Sequence, residues 1–370
     1  MDAPLPITGL QDLSTHLNNL LTHDTTTTTT TTETKTFTPL PLNTKLFDSI
    51  TLQLTESNIP PLIPSLLPKL TLLLQSASLT PDLAKPIVEL TIKLLSPIPF
   101  TQVLQLATEE SLLAALESPF PQINLLGLEV IAKAGKSAQD AAILSVMPKL
   151  FKGVVERWLI SPEVGVGEKG GKVLGDLLEV DSKKVLWELV FGGQDEERIY
   201  EMIIEIVSGR HEATKEEEKQ LSLAQGRLLR VLPRLAGLDL GRVSKPRVHG
   251  TPVRFTNGDG HGNNEEEKAE EEGLLQFAAL RMVDKGDVLM HLSLVDFFEA
   301  FVSFMRLKED KEDKVGVTRD LLREALKDDE VLKEALITLP DRTVEEEAEE
   351  LRRWLEIVLP EGTVRDVVIR

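Results

Sequence analysis

Apolar residues recur at helical spacing along most of the chain. In "SPFPQINLLGLEVIAKAG", Ile123, Leu126 and Val130 fall on one helical face together with Ile131 and Ala134. Leucine is accompanied by Glu, Lys and Ala, and only 4% of residues are aromatic. This composition is typical of helices rather than strands. The pattern therefore predicts an all-α protein.

The expected helices follow one another with short breaks. The first is predicted over Ile7–Thr22, and "TQVLQLATEESLLAAL" is expected to form one continuous helix. A longer helix, "KEEEKQLSLAQGRLLRVLPRLAGL", is expected to kink near its end at Pro233. Four phenylalanines on one later helix are expected to be core residues: Phe297, Phe298, Phe301 and Phe304. The last strong helix is expected to form the end cap, with an apolar stripe of Leu351, Trp354, Leu355 and Val358.

The helical segments repeat at a fixed interval. Ser118-Pro119 recurs as Ser161-Pro162, 43 residues later. Three triplets of one small and two branched or apolar residues align at this interval: Ala84, Ile87 and Val88; Gly127, Val130 and Ile131; Gly170, Val173 and Leu174. Helix-pair repeats of the HEAT and armadillo type have periods of roughly 40 to 47 residues. We therefore predict a HEAT/armadillo-like α-solenoid of stacked helix pairs, curved into a superhelix, over residues 1–370.

Two segments interrupt this pattern. Residues 23–43 contain a polythreonine tract, which cannot build a core and has poor helix propensity. Residues 241–272 are first basic, then rich in Gly and Asn, and finally acidic. Both segments are predicted to be flexible surface insertions, and the basic strip from Arg242 to Arg254 is interpreted as a solvated linker.

Charge and composition exclude several classes of function. The net charge is −19, so direct contact with nucleic acid is not expected. The chain has no cysteine, which excludes disulfides, thiol nucleophiles and cysteine-ligated metals. No uncharged apolar run of membrane-spanning length is evident, and the N-terminus lacks the basic start of a secretory signal. A cytoplasmic protein, also present in the nucleus in one alternative, is expected.

One segment resembles a nucleotide-binding loop. Gly165, Gly167 and Gly170 match G-x-G-x-x-G, and Gly171-Lys172 follows. A dinucleotide fingerprint requires a preceding strand, but the preceding residues read as an amphipathic helix. A Walker loop requires a hydroxyl residue after the lysine, and this position is Val173. We expect no cofactor here, and interpret Gly170 as the small residue at a close helix contact.

Other motifs that could support catalysis or metal binding are incomplete. "RHEATKEEE" begins like a zinc motif but has Lys215 at the position of the second histidine. "NGDGHGNNEEE" lacks the glutamate that would complete a calcium loop, because Lys268 lies there. We therefore predict no catalytic residue, no metal site and no enzymatic activity.

Polar residues line one face of three successive predicted repeats. Stacked repeats build extended binding surfaces from such faces. We predict that this stripe contacts a protein partner. Its members are Glu129, Lys133, Glu168, Lys172, Asp176, Glu179, Gln194, Glu197, Glu201 and Glu205.

The segment "GGKVLGDLLEVDSKKVLWELVFGGQDEERIYEMIIEIVSG" resembles the proteasome non-ATPase regulatory subunit 5 family. The resemblance rests on "KVLGDLLEVD", "LWELVFG" and "RIYEMI", and covers about Gln122–Gly209. Fungal members of this family are proteasome base-assembly chaperones, also described as DNA mismatch-repair proteins.

The resemblance implies a non-enzymatic solenoid that binds the C-terminal domain of one proteasome base ATPase. Such a protein would assist assembly of the base of the 26S regulatory particle, and would be a monomer when free. The alternative is a nuclear or DNA-repair adaptor that binds a protein partner through its concave face. No small-molecule substrate and no membrane is expected in either case.

Overall fold

The computed structural model describes residues 7–27, 42–76, 79–192, 197–209, 214–245, 273–307 and 312–360. Within these ranges there are eighteen α-helices and no residue lies in a β-strand, which confirms the predicted all-α fold class. The chain divides into two compact units, residues 1–134 and 135–370. The prediction of one solenoid over the whole chain stays a prediction.

Unit 1 consists of helices that pack against near neighbours in sequence. Its core is aliphatic, with Leu13, Leu17, Ile50, Leu70 and Leu94 among the least exposed side chains. Its helices are α1 (Leu10–Thr27), α2 (Thr44–Gln53), α3 (Ile63–Leu74), α4 (Pro81–Leu95), α5 (Phe100–Val103), α6 (Glu109–Glu117) and α7 (Pro121–Ala132). Helices α3 and α4, α4 and α7, and α6 and α7 are packed pairs, the arrangement expected of stacked repeats.

Unit 2 is organised around one long helix, α13, which contacts α9, α10, α12, α14 and α15. Its helices are α8 (Ala138–Leu144), α9 (Pro148–Ile160), α10 (Val164–Val180), α11 (Val185–Phe191), α12 (Ile199–Ser208), α13 (Lys215–Ser244), α14 (Leu274–Leu280), α15 (Val288–Leu307), α16 (Glu312–Ala325), α17 (Glu330–Thr338) and α18 (Glu345–Val358). Trp158, Trp187, Phe297 and Phe301 are fully buried in this unit.

Two predicted helices have different bounds in the structure. The segment expected as one helix from Thr101 divides into α5 and α6, because the Thr108 hydroxyl accepts a hydrogen bond from the Ser111 N–H and starts a new helix. Helix α13 continues through Pro233, and its only non-helical residue is Asp239 (φ −154°, ψ 83°). The prediction of a kink at Pro233 was therefore wrong by six residues.

The two predicted insertions fall largely outside the described residues. Helix α1 extends to Thr27, so the first residues of the segment 23–43 are helical, and 28–41 are not described. Helix α13 likewise extends to Ser244, four residues into the segment 241–272, of which 246–272 are not described.

Helix α15 is long and apolar enough to cross a membrane by length and composition, which the sequence pattern did not reveal. In the structure 44% of this apolar window is buried, and the buried part includes Phe297, Phe298 and Phe301. The predicted core role of these residues is confirmed, except that Phe304 is 41% exposed. Arg306 is almost fully buried and forms an ion pair with Glu347 of α18.

The 43-residue period corresponds to a repeated helix contact. Helices α7 and α10 start 43 residues apart, at Pro121 and Val164. A Cβ on Gly127 would lie 3.3 Å from Cβ of Ala115, and one on Gly170 would lie 2.9 Å from Cβ of Trp158. Ala115 and Trp158 are themselves 43 residues apart. Each glycine thus packs against the same position of the preceding helix, which supports the interpretation of Gly170 as a packing residue.

Helices α15 and α17 are joined through one buried carboxylate. Asp329 accepts hydrogen bonds from the Leu332 N–H (3.0 Å), from His291 Nε2 (2.9 Å) and from Lys285 Nζ (2.9 Å). Burial by itself raises the pKa of Asp329, but the hydrogen bonds from Leu332, Lys285 and His291 outweigh it. The pKa of this carboxyl therefore lies below its ordinary value of 3.8.

This lowered pKa predicts an acid-sensitive contribution to the stability of unit 2. Because the folded-state pKa is the lower one, the contribution is present above the ordinary pKa and is lost as the pH falls through the folded value. We expect the urea midpoint of the protein to fall as the pH is lowered below about 4. Asp329→Asn should lose this part of the pH dependence, and equal slopes for both proteins between pH 2 and 4 would contradict the assignment.

Candidate functional site

The glycine-rich segment is part of helix α10 rather than a loop. Gly167, Gly171 and Gly175 are four residues apart and form one face of the helix, against which α13 packs. A Cβ on Gly167 would lie 2.2 Å from Nε of Arg227, and one on Gly175 would lie 2.3 Å from Nη1 of Arg234. Because these glycines have no side chains, the arginines of α13 can lie directly against α10.

One of these arginines caps a helix end. Arg227 donates hydrogen bonds to the carbonyl of Leu159 (2.9 Å), near the end of α9, and to that of Glu163 (3.2 Å), the residue before α10. Asn124 similarly donates to the carbonyl of Leu116, which lies near the end of α6 and 43 residues before Leu159. The last carbonyls of an α-helix have no partner within the helix, so the two side chains satisfy the carbonyls of Leu159 and Leu116.

The predicted polar stripe on α10 faces arginines of α13. Glu168 lies 3.0 Å from Arg230, and Asp176 lies 2.8 Å from Arg234, which also binds Glu179. Burial by itself lowers the pKa of Arg234, but its hydrogen bonds to Glu179 and Asp176 raise it above the ordinary value. We call this set of five residues the α10–α13 ion network.

The ion network changes the interpretation of the predicted stripe. Asp176 is half-buried at the junction of two helices, and its carboxylate also lies 3.4 Å from Lys172. Glu168, Lys172 and Glu179 remain exposed to solvent. The carboxylates of Glu168, Asp176 and Glu179 therefore stabilise the contact between α10 and α13. Only their solvent-exposed parts are accessible to a partner. Partner binding by these residues stays a prediction.

The stripe members in unit 1 are less accessible than predicted. Lys133 is 9% exposed, and its ammonium group donates hydrogen bonds to the carbonyls of Ser96 (3.1 Å) and Ile98 (2.9 Å) just after helix α4. Its assignment to an exposed binding face was wrong, because the charge is used to satisfy buried backbone oxygens. Glu129 is half-buried on α7.

The remaining stripe members lie in or near α12. Glu197 pairs with Lys152 of α9 at 3.4 Å, and Glu201 is half-buried. Glu205 is exposed. Gln194 lies outside the described residues. The structure thus brings Glu168, Asp176 and Glu179 of α10 together with α13, and places Glu205 at a different feature, a groove.

This groove, called the acidic groove below, lies between the end of α9, the second half of α12 and the start of α13. Its volume is about 400 Å³. Its floor is apolar and its rim carries three glutamates. The lining residues are Leu159, Ile160, Glu205, Ile206, Gly209, Glu216, Glu217, Gln220, Leu221 and Ala224.

Sequence reasoning did not identify the cationic half of the ion network. The signal was present, since Arg227, Arg230 and Arg234 follow each other at intervals of three and four residues on α13. This spacing places them on one face of α13. Pairing them with the acidic residues of α10 required knowing that the two helices are neighbours, although the paired side chains are 55 to 62 residues apart in sequence.

The block that carried the family resemblance forms a helix corner. Asp181 is 5% exposed and accepts hydrogen bonds from the N–H groups of Leu186 (2.7 Å) and Trp187 (3.2 Å) at the start of α11. The indole of Trp187 donates in return to the carbonyl of Leu178 (2.9 Å) near the end of α10. The motif "LLEVDSKKVLWEL" therefore fixes the angle between two helices.

Among the described residues, no group of three or more His, Asp or Glu side chains is arranged to hold a metal ion. A search of curated proteins gives no match to the chain. Residues 17–155, a little over a third of the chain, match the family model described as DNA mismatch repair protein HSM3, N terminal domain. The match overlaps the range of the resemblance only over 122–155, and the three motifs on which the resemblance rests lie outside it. The matched family is consistent with the one that the sequence resembles. Residues 17–155 of this chain are therefore similar to the N-terminal domain of the HSM3 family.

Proposed function

We propose that this protein is a non-enzymatic scaffold chaperone that binds the C-terminal domain of one proteasome base ATPase and assists assembly of the base. The observation that carries the proposal is the family match over residues 17–155, taken together with the resemblance of "KVLGDLLEVD" and "LWELVFG" to proteasome base-assembly chaperones. The chain acts in the cytoplasm in this proposal and is a monomer when free.

The fold supports a binding role. Unit 1 consists of packed helix pairs, and α9 and α10 of unit 2 form a similar pair; stacked pairs of this kind present long rows of solvent-facing side chains. On α10, Glu168, Lys172 and Glu179 form such a row, held in place by Arg230 and Arg234. Long side chains fixed by ion pairs lose less conformational freedom when a partner binds than free ones do.

The proposal is tested by mixing the full chain with the purified C-terminal domains of each of the six base ATPases. We expect one domain to co-elute in gel filtration and to bind with a Kd below about 1 µM, since a standard interface supports this affinity. If no domain binds more tightly than about 10 µM, the proposal fails.

A charge swap locates the interface. The double variant Glu168→Lys/Lys172→Glu keeps the net charge and exchanges two exposed residues of α10, and we expect it to weaken binding about tenfold. The matched control is Glu324→Lys/Lys327→Glu, which exchanges an exposed ion pair at the end of α16. Equal binding by both swaps and the unmodified chain would place the interface elsewhere.

The second candidate is a nuclear or DNA-repair adaptor that binds a protein partner. The observation in its favour is the description of the matching family as DNA mismatch repair proteins. A net charge of −19 disfavours direct contact with DNA, so a protein intermediary is needed. Capture of mismatch-repair proteins from nuclease-treated extract would support it. Exclusion from the nucleus that persists when nuclear export is blocked would argue against it.

A further inference from the structure

The acidic groove has no assigned role, and its lining combines features that recognise a particular kind of peptide. We propose that it is a docking site for a segment of a protein partner that presents one large apolar side chain flanked by lysine or arginine. This inference rests on the proposed function as a protein-binding scaffold, and it adds the chemistry that one part of the partner must carry.

The floor of the groove fits an apolar anchor. Leu159 and Ala224 are fully buried beneath it, and Ile206 and Leu221 are half-buried along its sides. Ile160 is 38% exposed, unusually high for an isoleucine in a packed helix pair. A volume of about 400 Å³ admits a leucine or phenylalanine side chain with its adjoining backbone. An apolar side chain entering the groove would cover these residues.

The rim of the groove is negative. Among the described residues that line it, the charged ones are Glu205, Glu216 and Glu217, and none is Lys or Arg. Glu217 is used within the chain, because it closes a capping box with Thr214 at the start of α13. Glu216 accepts a hydrogen bond from Gln220 Nε2 at 3.4 Å and pairs with the exposed Lys219 at 3.6 Å, and exposed contacts of this kind contribute little. Glu205 forms no hydrogen bond or ion pair with any residue in the described part of the chain.

Two further features favour a cationic segment. Helix α12 ends at Ser208 beside the groove, and the C-terminal end of a helix carries a partial negative charge. The side-chain oxygen of Gln220 is buried in the groove wall without a hydrogen-bond donor among the described residues. A buried acceptor of this kind costs free energy unless a donor reaches it, and a bound backbone N–H or guanidinium would supply one.

The direct test uses a fluorescein-labelled peptide of twelve residues in which Leu-Phe is flanked on each side by Arg-Lys. Binding to the full chain is measured by fluorescence anisotropy at low salt, where screening is weak. The variant Glu205→Lys/Glu216→Lys is expected to bind the peptide about tenfold more weakly. A second peptide, with Ser-Ser in place of Leu-Phe, is expected to bind the unmodified chain about tenfold more weakly, because the apolar floor no longer contributes.

The control distinguishes a built groove from general attraction to an acidic protein. Glu156→Lys/Glu346→Lys makes the same change of net charge at two exposed residues outside the groove, on α9 and α18. It is expected to change peptide affinity less than twofold, and circular dichroism checks that each variant is folded. The proposal is overturned if this control weakens binding as much as the groove variant does, or if the serine peptide binds as tightly as the Leu-Phe peptide.

The same variants separate this inference from the proposed function. If an ATPase domain binds the unmodified chain and the Glu205→Lys/Glu216→Lys variant equally well, the groove is not part of that interface and the inference fails, while the proposed function stands. If the Leu-Phe peptide binds as expected but none of the six domains binds, the groove is a peptide site and the proposed function fails.

Discussion

Replacement of Asp181 by alanine is expected to lower the free energy of unfolding by about 2–4 kcal/mol. The carboxylate is buried and accepts two hydrogen bonds, from the N–H groups of Leu186 and Trp187. These N–H groups lie in the first turn of α11 and therefore have no backbone partner within the helix. The side chain of the N-cap residue, Lys184, does not accept a hydrogen bond from them either. Alanine would leave both donors buried and unsatisfied.

The measurement is urea unfolding followed by circular dichroism. Asp181→Asn retains one acceptor oxygen and should lose less than half as much stability as the alanine variant. Asp320, which is 70% exposed and among the described residues pairs only with Arg323, provides the control, and Asp320→Ala should change stability by less than about 0.5 kcal/mol. A loss below about 1 kcal/mol for Asp181→Ala would show that the corner does not depend on this carboxylate.

Replacement of Gly170 by alanine is expected to destabilise the protein by about 1–3 kcal/mol, although alanine is the better helix former. The added Cβ would lie 2.9 Å from Cβ and 3.0 Å from Cα of Trp158. The second of these atoms belongs to the backbone of α9, so the clash cannot be relieved by a change of rotamer. Helix α10 must instead move away from α9, which loosens the packing around the buried Trp158.

Gly226 of α13 provides the matched control, because a Cβ there would meet no atom within 4 Å. Gly226→Ala should therefore stabilise the protein by about 0.5–1 kcal/mol through helix propensity alone. The two substitutions are chemically identical and are expected to have opposite signs in the same urea experiment. Shifts of the same sign would mean that the close contact at Gly170 is not rigid.

Much of the fold could be predicted from the sequence, because helical periodicity is a local property. The all-α class and the burial of Phe297, Phe298 and Phe301 follow from residues three or four positions apart, and the packing role of Gly170 follows from the 43-residue repeat. The helix start at Thr108 was not predicted, because it depends on a capping hydrogen bond that involves only a few residues and does not change the pattern of apolar positions. The break in α13 lies at Asp239 rather than at Pro233, because it depends on a local backbone conformation that the pattern of apolar residues does not predict.

The candidate site could be predicted only in part, because it depends on contacts between helices distant in sequence. The acidic stripe on α10 was visible, but the arginines that pair with it lie on α13. Lys133 was misassigned, because helical spacing predicts only the helix face on which a residue lies. It does not predict that the ammonium group of Lys133 reaches the carbonyl of Ile98. The acidic groove was not predicted, since its lining comes from three helices.

Helix α13 also has a consequence for how unit 2 folds and responds. In regular repeat arrays each repeat contacts only its neighbours, so segments can unfold one after another. Here α13, whose 30 residues are helical except at Asp239, contacts five other helices, from α9 to α15. Loss of α13 would expose all five at once, which makes the unfolding of this unit cooperative rather than sequential. A partner that binds any residue of α13 is therefore coupled to the stability of the whole unit.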